Sequence, residues 1–117
     1  LHSISYIKLC NGTITTFPLL RDVIKLSLYS FPYLNKLDGL QNIKGLELKH
    51  CPKVSDLSPL SRLIKLSIIF CASIRDVSPL GKLRYLTLNS CALITDITSL
   101  SNIYDLKIIS CPNIDYS

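Results

Sequence analysis

Methionine is missing from all 117 residues, glycine occurs four times, and aromatic residues make up only 8%. A natural reading frame begins with methionine, so a chain opening at Leu1 reads as a piece of something longer. No apolar run approaches the ~20 residues that span a bilayer. No basic-then-apolar segment opens the chain as a secretion signal would. Dense charge of one sign is lacking too: thirteen basic against eight acidic side chains leave a net charge of +5. That excess permits an acidic partner but falls short of the basic stripe expected of a nucleic-acid binder. Hydrophobic residues are plentiful, at 48% with Leu and Ile dominant, which excludes disorder. The length suits one modest domain with a continuous core.

The chain repeats itself every twenty residues. Residues 46–65 read LELKHCPKVSDLSPLSRLIK, residues 66–85 LSIIFCASIRDVSPLGKLRY, and residues 86–105 LTLNSCALITDITSLSNIYD. Residues 26–45 keep the same frame with drift, and a further unit begins at Leu106. Apolar columns run through every copy, such as Leu26, Leu46, Leu66, Leu86 and Leu106, or Leu34, Val54, Ile74, Ile94 and Ile114. The N-terminal stretch fits if its unit is one residue shorter, with Ile4, Ile7, Leu9, Ile14, Phe17, Leu20 and Val23 in the apolar columns. Residues 1–117 therefore form a single repeat domain of about five and a half units.

The repeat decides how its reactive residues are read. HCPKVSDLSPL, residues 50–60, places histidine, cysteine, aspartate and serine close together. The cysteine returns as Cys71, Cys91 and Cys111 and the aspartate as Asp76 and Asp96, whereas His50 does not return. A catalytic constellation occurs once, and a structural one recurs each turn. No catalytic residue, cofactor or metal site is expected. Four cysteines in a line are no tetrahedron for zinc, and one Asp per turn supplies too few oxygens for calcium. Each ladder cysteine should be a small buried hydrophobe with its thiol near a backbone carbonyl. Buried free thiols at this density favour an intracellular, cytoplasmic or nuclear, setting. Cys10 lies off the ladder at an exposed position. Ser58-Pro59 and Ser78-Pro79 read as the cap and first residue of short helical turns, with Asp56, Asp76 and Asp96 accepting backbone N–H groups.

The unit LxxLxLxxC, as in Ile43-x-x-Leu46-x-Leu48-x-x-Cys51 and Leu63-x-x-Leu66-x-Ile68-x-x-Cys71, resembles the leucine-rich repeat over essentially the whole chain. Its C-x-x-I-x-D portion is similar to cysteine-containing repeats and its I-x-D-x-S-P-L portion to internalin-type repeats. The resemblance implies a repeat solenoid, a horseshoe or arc with a parallel β-sheet on the concave face and turns or short 3₁₀ segments on the convex one. The LxL period of two independently predicts strands, and parallel strands need the crossover that the remaining residues supply.

The resemblance also implies a non-enzymatic protein–protein interaction module that binds through the concave strand face. The residues expected to meet a protein partner there are Tyr29, Glu47, Lys49, His50, Ile69, Phe70, Tyr85, Asn89 and Ile109. Ser27 and Gly45 belong to the same set of exposed strand positions. A basic edge of Lys44, Arg62, Lys65, Lys82 and Arg84, with Lys25 nearby, offers an alternative as an anion or nucleic-acid site. A structural spacer in a larger protein is the third reading. Both ends stop inside a unit without a polar cap, so self-association through them is expected.

Overall fold

Six parallel strands stand side by side in chain order in one sheet, β1-β2-β3-β4-β5-β6, in a computed structural model that describes residues 4–116. They are β1 Ile4–Cys10, β2 Val23–Tyr29, β3 Gly45–Lys49, β4 Lys65–Ile69, β5 Tyr85–Asn89 and β6 Asp105–Ile109. Four short 3₁₀ turns fill the connections: η1 Asp38–Leu40, η2 Ser58–Leu60, η3 Ser78–Leu80 and η4 Thr98–Leu100. The result is a solenoid-like stack of strand and turn units, 49 Å in its longest dimension.

Register follows the repeat. Leu26 stands beside Leu46, Leu46 beside Leu66, Leu66 beside Leu86 and Leu86 beside Leu106. Ile7 stands beside Leu26 and Leu9 beside Leu28, so the first unit is one residue shorter. Alternation along each strand sends Leu26 and Leu28, and their equivalents, into the core. Leu28, Leu48, Ile68 and Leu88 are fully buried. From the connections, Leu34, Val54, Ile74 and Ile94 close on them, as do Leu40, Leu60, Leu80 and Leu100. Burial weakens toward both outer strands. Ile97, Ile103, Leu106 and Ile108 are only half-buried around β6, which pairs with β5 alone. Leu9 and Ile14, expected in the core, are exposed, because β1 has a neighbour on one side only.

The 3₁₀ turns form because each unit must reverse within a few residues. Leu40, Leu60, Leu80 and Leu100 donate three residues back, to Leu37, Leu57, Val77 and Ile97, at 2.9–3.0 Å. Pro59 and Pro79 fit the start of such a turn, where a missing N–H costs nothing. The cap differs by one residue from the sequence expectation: Leu57 and Val77, not Ser58 and Ser78, precede the helical residues. The side chain that satisfies the free donors belongs to the aspartate. Ser58 donates its N–H and its hydroxyl to Asp56 Oδ1 at 3.0 and 2.7 Å, and Thr98 does the same to Asp96 at 2.9 and 2.8 Å. The Ser78 N–H reaches Asp76 Oδ1 at 2.9 Å. These bonds hold all three carboxyls below the ordinary Asp value, chiefly through the backbone N–H at Asp56 and Asp96 and the Ser78 hydroxyl at Asp76.

The cysteine ladder is buried as its repetition implies. Cys51, Cys71, Cys91 and Cys111 direct their thiols at the carbonyls of Leu28, Leu48, Ile68 and Leu88, at 3.6–3.9 Å. Each thiol also lies within 3.4–3.6 Å of the last carbonyl of its own strand. A small side chain with a weak donor suits a position squeezed between two backbone carbonyls.

One recurring feature has no glycine to announce it. The residue after each strand lies in the left-handed region: Asn11 (φ 60°), Ser30 (65°), His50 (55°), Phe70 (53°), Ser90 (58°) and Ser110 (53°). There the chain leaves the sheet and dives toward the core, while its N–H still bonds the next strand. His50 donates to Ile69 O at 3.0 Å and Phe70 to Asn89 O at 3.0 Å. Asn and His are enriched in this conformation; a bulky phenylalanine is unusual in it.

Candidate functional site

Strand alternation points residues 25, 27 and 29, and their equivalents, away from the core, and these residues build the outer face of the sheet. That face divides into two ends. Strands β3 to β6 are five residues long, so the ends lie roughly 13 Å apart there.

At the C-terminal end of the strands, the sequence-expected residues come together in two groups. Tyr29 donates its hydroxyl to Glu47 Oε1. The ammoniums of Lys8 and Lys49 stand 4.6 and 5.6 Å from the centre of the Tyr29 ring. The carboxylate accepting its hydrogen bond, helped by burial, pushes the Tyr29 phenol up to about 12. Beside this cluster, His50 and Phe70 stack with ring centres 5.0 Å apart and planes within 2°. Both project from left-handed positions at the rim, which is why their rings meet flat across adjacent units. Phe70 keeps 49% of its surface exposed. Ile69 is half-buried between Lys49 and Asn89 in register, and Ile109 stands next to Asn89 with 47% exposed. Asn89 Oδ1 accepts the Ser90 hydroxyl at 2.8 Å, which fixes its amide.

Tyr85 does not join them. It starts β5 and sits at the other end of the face, edge-on to Tyr104 with ring centres 6.0 Å apart. Its neighbours there are Lys44 and Lys65 of the basic edge, with Lys25. Arg84 occupies the same backbone column as Lys44, its N–H donating to Ile64 O at 3.1 Å. Arg62 and Lys82 are exposed on the connections that follow η2 and η3.

Two expected face positions are buried. Ser27 is only 1% exposed, because the Tyr6 hydroxyl crosses from β1 to donate to its Oγ at 3.0 Å. Gly45 carries no side chain and lies at the floor of a notch of about 250 Å³. Ile24, Ile64 and Tyr85 form its apolar walls, and Lys25, Lys44 and Lys65 stand around it. Ile24 and Ile64 escaped the sequence reading. Their column runs Ile24, Lys44, Ile64, Arg84 and Tyr104, and such mixed polarity is the mark of an exposed column. A separate hollow of about 400 Å³ lies among the turns, lined by Asn35, Lys36, Asp38, Ser55 and Asp56 among others.

Among the described residues, no group of three or more His, Cys, Asp or Glu side chains could hold a metal ion. No helix among them is long and apolar enough to cross a membrane. No family model, curated protein or solved structure gives a match to the chain. The outer face presents flat aromatic surface, aliphatic side chains and lysines beside them.

Proposed function

We propose that the chain is a leucine-rich-repeat solenoid acting as a non-enzymatic protein-recognition module, with the outer, concave face of the sheet as its contact surface. The twenty-residue unit with its Leu, Cys and Asp columns supports the repeat class. The observation that carries the binding role is Phe70. A bulky ring held at φ 53° with half its surface in water serves folding poorly. Set beside Ile69 and His50, it has the composition of an interface anchor, aromatic and aliphatic groups rimmed by Lys49 and Asn89. The buried thiols suit a reducing, intracellular compartment.

The test is affinity capture from native lysate with the wild-type chain and with an Ile69→Ser/Phe70→Ser variant matched for melting temperature. Captured proteins are identified and the leading one is rebound in purified form. Binding by the wild type and loss in the variant supports the reading. Equal capture by both removes this end of the face from the contact.

A further inference from the structure

We infer that the notch over Gly45 seats an apolar side chain of an acidic peptide segment, whose carboxylates pair with Lys25, Lys44 and Lys65. The inference rests on the recognition reading above and specifies the partner's chemistry at the other end of the same face.

Gly45 begins with a puzzle. It opens β3, and its φ is not positive, so the backbone does not require glycine. A Cβ built there would meet Lys25 Cγ at 3.5 Å and Lys65 O at 3.8 Å, ordinary contact distances. Packing therefore does not require glycine either. By contrast, a Cβ on Gly39 would come within 2.3 Å of the Pro18 carbonyl oxygen, so that glycine is fixed by close approach. Glycine in a strand weakens it and often marks a place where something else comes close. The equivalent positions on neighbouring strands carry Lys25, Lys65 and Tyr85. Removing one side chain from this column opens a gap between two lysine stems.

The gap's walls specify the occupant. Ile24 and Ile64 are both exposed by more than two-fifths, and Tyr85 presents its ring beside them. These surfaces suit one aliphatic or aromatic side chain. No acidic residue lines the notch. Glu47, two residues along β3, is already engaged by the Tyr29 hydroxyl, and Asp105 lies one strand beyond Tyr85. The stems of Lys25, Lys44 and Lys65 line the notch, and the Lys25 ammonium lies 5.6 Å from the centre of the Tyr6 ring. Three lysines beside apolar walls, on a chain of net charge +5, complement carboxylates flanking an apolar side chain. A nucleic-acid strand fits less well, since the walls offer a single aromatic ring where successive bases would need several.

The probe is a synthetic peptide of four glutamates around one leucine, titrated into the full 117-residue chain labelled with ¹⁵N. Saturable shifts centred on the amides of Lys25, Gly45, Lys65 and Tyr85 are expected. Replacing the peptide's leucine by serine should weaken binding about tenfold, the scale of one lost apolar contact. Gly45→Val should keep the dispersed spectrum, melt no lower, and weaken the peptide about tenfold by filling its seat. Gly45→Ala, which adds only the tolerated Cβ, should fall between them. Lys65→Ala should weaken binding and flatten its dependence on salt.

Unchanged binding in Gly45→Val overturns the inference, as does the absence of any saturable shift. Tighter binding of oligothymidylate than of the peptide, indifferent to Gly45→Val, overturns it in favour of a polyanion edge. Peptide shifts centred on Ile69 and Phe70 overturn the notch while leaving the recognition reading standing.

Discussion

Replacing Phe70 by glycine should cost only about 1 kcal/mol, and Phe70→Gly should be more stable than Phe70→Ala. At most strand-edge positions glycine is the worse of the two, because it frees the unfolded chain. Position 70 reverses the order because its φ is 53°. A Cβ in the left-handed region costs about 1–2 kcal/mol, which alanine retains and glycine sheds. The greater freedom of unfolded glycine returns about 0.4–1 kcal/mol of that gain. The difference favours glycine over alanine by about 0.5–1 kcal/mol. Losing the ring itself is modest. Phe70 is 49% exposed, so about half of the ~1.5–3 kcal/mol for burying such a side chain is at stake. Its stack on His50 adds about 0.5 kcal/mol, the low end for an exposed pair. Net strain relief then offsets roughly half of the lost contact, leaving Phe70→Gly about 1 kcal/mol less stable than the parent. Phe31 supplies the contrast: it is 3% exposed and packs on Phe17 with ring centres 6.2 Å apart. Phe31→Ala should cost about 3–5 kcal/mol. Urea unfolding at equal m-value reads all four chains. An alanine variant at least as stable as glycine, or a Phe70→Gly loss above ~2 kcal/mol, would refute the strain reasoning and make the ring part of the folding core.

Three further outcomes follow from the same geometry. In the native chain a thiol reagent should modify the exposed Cys10 promptly and the buried Cys51, Cys71, Cys91 and Cys111 only on unfolding; a second fast thiol contradicts the ladder. Stability should fall on the alkaline side. Burial pushes the Cys91 thiol from near 9 up to about 11, and Tyr29 stands at about 12 instead of 10. Folding therefore holds protons that the unfolded chain releases, so their contribution is complete below pH 9 and lost progressively through pH 11 and then 12. The three aspartates act in the opposite sense, with stability lost as pH falls below about 4. A urea midpoint flat from pH 8 to 11 would contradict the thiol assignment. Finally, Leu48→Ala should cost about 3 kcal/mol, and Ile108→Ala, half-buried on β6, about half as much. Equal losses would mean that the open side of β6 is covered in solution.

The inner architecture was legible because burial repeats. Leu, Ile, Val and Cys return at fixed offsets, and a fixed offset in sequence became a fixed register in the sheet. The Asp-x-Ser turns were legible for the same reason, apart from a one-residue shift of the cap. What escaped was whatever depends on a residue's absence or on backbone sign. The left-handed column reads Asn, Ser, His, Phe, Ser, Ser, without the glycine that usually signals positive φ. The His50–Phe70 stack follows from that conformation and was hidden with it. Ser27 is polar, yet a tyrosine from the neighbouring strand covers it. Gly45 offers no side chain to notice, and its meaning comes from the lysines and isoleucines on either side. Tyr85 was grouped with Ile69 and Phe70 because both sets face outward, a judgement blind to position along the strand.

Among the described strands and 3₁₀ turns, close packing joins each strand to the next strand and each turn to the next turn. Tyr29 on β2 and Ile109 on β6 are separated by four strand spacings, about 19 Å. That exceeds the ~7–10 Å beyond which substitutions act independently. The outer face is consequently a panel of separately adjustable letters. A change at one end leaves the other end's energetics alone, so variants selected for one half of the surface can be combined with those selected for the other. A library built strand by strand would then explore specificity additively, with coupling confined to neighbouring strands.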